Sequence, residues 1–191
     1  MVGNLPNYNE HDVLRAFLLI ENKPIARSDL VKKLELGEGT IKTILDILKY
    51  QKLIVSTNKG HKLIDEGIKK KEKILSNIKG PIKLSLKEYS GLKSCGLLIK
   101  NPSNTKINID LRDEAIRAGA YSSILFRYEN ELKIPMIDWD YKKENPEDYK
   151  KIVNSFTFKK GNLLIVSFAK DYRTCENSAL AVMNKIKKIK I

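Results

Sequence analysis

Several residue types are scarce in this chain. Glutamine occurs once, at Gln51, tryptophan once, at Trp139, and arginine six times against thirty lysines. The two cysteines, Cys95 and Cys175, cannot alone build a disulfide framework or a four-ligand zinc site. No apolar run approaches the roughly 18 residues that a membrane-spanning helix needs, which excludes a helical integral membrane protein. Met1 to Asn9 carries neither a basic nor an apolar segment, so no secretory leader is expected there. These scarcities predict a reduced, soluble, cytoplasmic chain with no membrane partner, no metal and no cofactor.

The 191 residues are 42% apolar and 31% charged, with a formal net charge of +13. That length allows one large domain or two small ones. Abundant Lys and Ile with almost no Gln resembles thermophile composition, where ion-pair networks matter more. The positive charge predicts attraction to polyanions. It does not say which half is responsible: residues 1–80 carry +5 and residues 81–191 carry +8. The sharpest punctuation is Gly80-Pro81, because the residue before proline is crowded out of helical geometry. The expected division is therefore residues 1–80 and 81–191.

In the first part the apolar spacing predicts three helices. His11 to Glu21 places Val13, Leu14, Phe17 and Leu18 on one stripe. Ser28 is expected to cap a second helix running to Leu34. A turn at Leu36-Gly37 leads to a third helix, about 38–51, with Ile41, Ile44, Leu45 and Leu48 inward. The period then changes to two at Leu53 and Val55, and Asn58-Lys59-Gly60 turns the chain back through Lys62-Leu63-Ile64. Asp65 and Glu66 start a fourth helix, whose first turn Gly67 weakens. Three short helices followed by a hairpin predict a winged helix-turn-helix.

The run 30–48, LVKKLELGEGTIKTILDIL, continuing through Leu53-Ile54-Val55 to Gly60-His61-Lys62-Leu63, resembles prokaryotic winged-helix transcription regulators. It is most similar to archaeal ones that carry a poorly characterised second domain. The resemblance covers residues 10 to 75 and implies duplex DNA binding. Lys52 departs from the pattern, which has Gly before the first wing strand, so Lys52 is expected to adopt the left-handed conformation.

In this fold the third helix enters the major groove with its N-terminal half leading. The candidate DNA contacts are then Glu38, Gly39, Thr40, Lys42 and Thr43 on that helix. Lys59, His61 and Lys62 join them from the wing, and Arg27 and Ser28 from the start of the second helix, where free amides suit phosphate. Glu38 is the awkward member, able to accept from a cytosine amine or to cap the helix. Lys69, Lys70, Lys71 and Lys73 follow on the fourth helix.

The remainder predicts an α+β domain with a mixed or antiparallel sheet of about four to six strands. Strands are expected at Ile82 to Leu86, Cys95 to Lys100, Ser122 to Tyr128, Glu131 to Ile134 and Leu163 to Phe168, the last a buried central strand. Helices are expected at 110–118, closed by Gly119, at 146–156 with Pro146 first, and at 173–188. The helix 111–120, LRDEAIRAGA, is similar to one in the second domain of the same archaeal regulators. In a chain that favours Lys so heavily, retained arginines point to a need for a planar fork. Arg112, Arg117 and Arg173 are therefore candidates for an anionic effector pocket, with internal salt bridges as the competing reading. Cys95 lacks a histidine in its own domain and reads as a buried structural thiol.

The sequence thus predicts a non-enzymatic, homodimeric DNA-binding regulator whose second domain pairs the chains, binds a small anionic effector, or both. The alternatives are a small-molecule transferase or kinase with an accessory winged helix, and a protein-interaction adaptor.

Overall fold

The structure, a computed structural model, describes residues 7–100, 102, 105–135, 137–189 and 191. It divides into two compact units, one reaching Ile74 and the other starting at Leu75.

The first unit opens with α1 (Glu10–Leu19), α2 (Arg27–Leu34) and α3 (Glu38–Tyr50). Asn9 caps α1 by accepting from the Asp12 amide, while the Asp12 carboxylate accepts from the Asn9 amide, a reciprocal capping box. Asp12 also receives the Arg15 guanidinium at 3.1 Å, and Arg15 reaches the Leu34 carbonyl at 3.2 Å. Both side chains of that pair are buried, so it ties α1 to the end of α2. The stripes meet in a core of Phe17, Leu30, Leu34, Ile41, Ile44 and Leu48, each fully buried. Strands β1 (Ile54–Thr57) and β2 (Gly60–Leu63) form an antiparallel hairpin, and Ile25 adds one bridge to His61 on its outer side. Lys52 has φ +55°, as its place at the end of α3 predicts.

Three details differ from the sequence reading. Ser28 is not the N-cap: α2 starts one residue earlier, and Ala26 occupies the cap with no side-chain bond. Ser28 lies in the first turn, exposed. Val55 does not face inward, because the strand register buries Leu53 and Ile54 and leaves Val55 39% exposed. Gly67 does more than loosen α4 (Asp65–Asn77). A Cβ there would lie 2.0 Å from the Leu53 carbonyl oxygen, so glycine is what lets the helix approach the hairpin.

The second unit is an antiparallel sheet in the order β3-β4-β7-β5-β6 with helices on it. Its strands are β3 (Ile78–Leu84), β4 (Lys93–Ile99), β5 (Ser122–Tyr128), β6 (Leu132–Lys133) and β7 (Leu163–Ala169). The expected boundary at Gly80-Pro81 is corrected: both residues lie inside β3, at an irregularity in its pairing with β4. Proline is tolerated because β3 is an edge strand and the ladder is broken there. Strand β7 is buried along its whole length and sits centrally, as its apolar run predicts. The helices are α5 (Ile109–Arg117), α6 (Tyr141–Glu144), α7 (Pro146–Ser155) and α8 (Tyr172–Lys187). Helix α6, a single turn capped by Asp140, escaped the sequence reading because four residues carry no periodicity. Cys95 and Cys175 are both buried thiols. No helix among the described residues is long and apolar enough to cross a membrane.

Candidate nucleic-acid interface

The buried stripe of α3 leaves the opposite flank in solvent. Glu38, Gly39, Lys42 and Thr43 are exposed and Thr40 is half-buried. A Cβ added at Gly39 would meet nothing within 4 Å, so the backbone there is open to close approach. The Thr43 hydroxyl donates to the Gly39 carbonyl at 3.1 Å, which orients it along the helix. The polar flank does not stop in the N-terminal half. It continues through Asp46 and Lys49 to Tyr50, which is 90% exposed. These three were missed, although the spacing 39, 42, 43, 46, 49, 50 repeats the helical period.

Asp46 and Lys49 form an ion pair of 2.6 Å on this flank. Lys49 holds the Asp46 carboxyl below its ordinary range, chiefly by hydrogen bonding, with Lys42 and His61 contributing their fields. The carboxylate is therefore charged and partly neutralised where a polyanion would otherwise be repelled. Arg27 and Ser28 are exposed at the start of α2, where no side chain caps the free amides. The hairpin brings His61 to the same cluster. Its backbone bonds Ile25 in both directions at 2.9 Å, and its Nδ1 lies 3.1 Å from the Ser56 hydroxyl. Partial burial lowers the His61 pKa, and the nearby charges of Lys49 and Arg27 lower it further, against an opposing pull from Asp46. These couplings place Arg27, Lys49 and Asp46 near His61, and Lys42 near Asp46. Gly60 makes the approach feasible, since a Cβ there would fall 2.3 Å from the Ile25 carbonyl oxygen. Lys59 stands exposed at the hairpin turn and Lys62 is half-buried on β2.

The lysines of α4 do not act alike. Lys71 donates to the Ile20 carbonyl at 2.8 Å, just past the end of α1, and burial lowers its pKa. It is a structural tie, whereas Lys69 is exposed.

In the second unit the arginines have separate roles. Arg117 pairs with Glu114 at 3.3 Å on the surface of α5. Arg173 on α8 is half-buried and engaged in a contact of its own. Arg127 donates to the carbonyls of Gly161 and Thr105. Of the three effector candidates, Arg112 lines a cavity beside residues 122–125.

A helical unit with a hairpin and a cationic flank, followed by a five-stranded α+β unit, defines the class of protein. Residues 10–69 match the family model described as "PH0730-like, N-terminal domain", and residues 90–186 match "Domain of unknown function (DUF4443)". The solved structure titled "Hypothetical protein PH0730 from Pyrococcus horikoshii OT3" is 32% identical, with a TM-score of 0.79 over 95% of this chain and 94% of that one. The chain belongs to this PH0730-like family, and the solved relative is archaeal. No curated protein matches the chain.

Proposed function

We propose that the first unit is a winged helix-turn-helix that binds duplex DNA, and that the chain is a transcription regulator acting as a homodimer. The second unit then pairs the chains, binds a small effector, or both. The observation that carries this reading is the joint flank of α2, α3 and the hairpin, where Arg27, Lys42 and Lys59 are exposed and His61 lies beside Arg27 and Lys49. In such a unit the exposed N-terminal half of α3 meets base edges, with Thr40, Lys42 and Thr43 leading, while Arg27, Ser28 and the hairpin hold the backbone. Pairing two copies places two such helices roughly 34 Å apart on a pseudo-palindrome.

Fluorescence anisotropy with a mixed-sequence duplex, titrated across salt concentration, tests this. Binding is expected to weaken steeply with salt, and Lys42→Ala or Arg27→Ala each to reduce the logarithmic salt slope by about one. Absence of binding at about 50 mM salt would remove the reading.

The exposed Tyr50 and the charged Asp46 favour a second reading, in which this flank docks another protein. A flank used in that way would bind its partner with weak salt dependence and would not shift the duplex.

A further inference from the structure

Within the second unit a cavity of about 320 Å³ lies beside β5. That is the lower end of the small-molecule range, roughly 300–1,000 Å³. Four successive residues of β5, Ser122 to Leu125, line it. Side chains on a strand alternate between faces, so a consecutive run means that the strand's edge itself forms part of the wall. The pairing explains why: among the described residues β6 pairs only with Arg127 and Tyr128, and the first part of β5 pairs with β7 alone. Alternate backbone groups along an uncovered edge remain unused by the sheet.

The other walls are apolar and preformed. Tyr89 lines the cavity with its backbone held at φ +52°. Buried Asp148 fixes the preceding turn by accepting the amides of Lys87 at 2.6 Å and Glu88 at 2.8 Å. The Tyr89 ring packs edge-on against Phe168, with centroids 4.9 Å apart. Trp139 belongs to the same lining, braced edge-on by Tyr141. Ile109 and Ile137, at 63% and 55% exposure, are large apolar side chains that also line the cavity yet stay in solvent. Covering them is a favourable term available to a ligand.

Charge is confined to one point. Arg112, on α5, is the cationic group among the lining residues, and no carboxylate is among them. Among the described residues no acid pairs with Arg112, in contrast to Arg15 with Asp12 and Arg117 with Glu114. A guanidinium beside apolar walls is the geometry for a planar carboxylate carried on an apolar body. The lining holds a single cationic group, which matches one carboxylate.

From this geometry we infer that the cavity is the binding site for a small monocarboxylic acid with an aromatic or branched apolar body, its carboxylate on Arg112 and its body between Trp139, Tyr89 and the edge of β5. The inference rests on the reading of the second unit as a sensor and is independent of DNA binding.

Trp139 is the chain's single tryptophan, so its fluorescence in the full chain reports on this wall alone. The probes are 3-phenylpropanoate and 4-methylpentanoate, each beside its neutral amide. Both acids are expected to give saturable changes, with at least one bound about tenfold or more tightly than its amide. Arg112→Gln is expected to bring acid and amide within about twofold, and Arg117→Gln to leave the preference intact. The site is overturned by any of three results: no saturable change with any probe up to about 10 mM, equal binding of acid and amide, or a preference that survives Arg112→Gln. A Trp139 signal that follows protein concentration and ignores all four probes also overturns it, because a second copy would then cover the cavity. Duplex binding by the same preparations separates the two readings: loss of acid binding with the duplex still bound removes only this site, and the reverse removes only the regulator.

Discussion

Net charge is nearly alike in the two halves of the sequence, +5 and +8, yet their surfaces differ in kind. In the first unit most large apolar side chains among the described residues are buried or half-buried. Tyr50 and Val55 are its exposed large apolar side chains among the described residues, and Arg27 and Lys49 lie close to His61 on one flank. Among the exposed large apolar side chains of the second unit, Tyr89, Ile109 and Ile137 line one cavity. Total charge therefore says little about which half meets which partner. Distribution decides, and distribution follows from how each fold disposes of its apolar residues.

The separateness of the two units is the part of this contrast most open to attack, and core truncation tests it with the largest effects. Phe17 and Phe168 are fully buried, one in each unit. Replacing either by Ala is expected to cost its own unit about 3–5 kcal/mol. In denaturant unfolding, Phe17→Ala should lower the helical circular-dichroism transition and leave the Trp139 fluorescence transition within about 0.5 kcal/mol. Phe168→Ala should do the reverse. A Phe17→Ala variant that shifts both probes together would show one cooperative body.

A smaller effect sharpens the account of the first unit. Gly67→Ala adds a residue that a helix prefers by about 1 kcal/mol. The new Cβ would nonetheless press on the Leu53 carbonyl, and such overpacking costs about 1–3 kcal/mol. Net destabilisation by thermal or chemical melting is expected, and a stabilised variant would show that the hairpin yields freely.

The smallest effect is a pH dependence carried by His61. Its pKa is lower in the folded chain than the ordinary value of 6.5. Below that ordinary value the unfolded chain takes up the proton first, so stability falls as pH drops from about 7 through the lowered pKa. The same protonation adds a cation to the flank, and duplex affinity should rise over that range. His61→Gln is expected to flatten both trends. Unchanged pH profiles of melting and binding in that variant would assign them to other groups.

Much of the architecture was legible because its signals are periodic. The α3 stripe and the uninterrupted apolar run of β7 each point to one placement, and both elements lie where the pattern puts them. The strand 122–128 and the helix opened by Pro146 are likewise found at their expected positions. Local signals without periodicity misled. Gly80-Pro81 reads as a boundary, yet an edge strand with a broken ladder accommodates it. Ser28 has the chemistry of a cap, but the chain enters the helix one residue sooner.

The candidate DNA-contacting residues on α2, α3 and the hairpin were nameable one by one, since an exposed flank follows from the buried one. That Asp46 and Lys49 share the flank with Arg27 and His61 was not, because it depends on how the hairpin returns against α2 and α3. The cavity was less legible still. Three arginines looked equivalent along the chain, but Glu114 engages Arg117, whereas Arg112 lines the cavity beside β5. Residue order sets periodicity, and periodicity suffices for helices, strands and the faces they bury. Which cation keeps no partner, and which strand edge stays uncovered, depends on residues far apart in the chain meeting in space, and no local pattern encodes that.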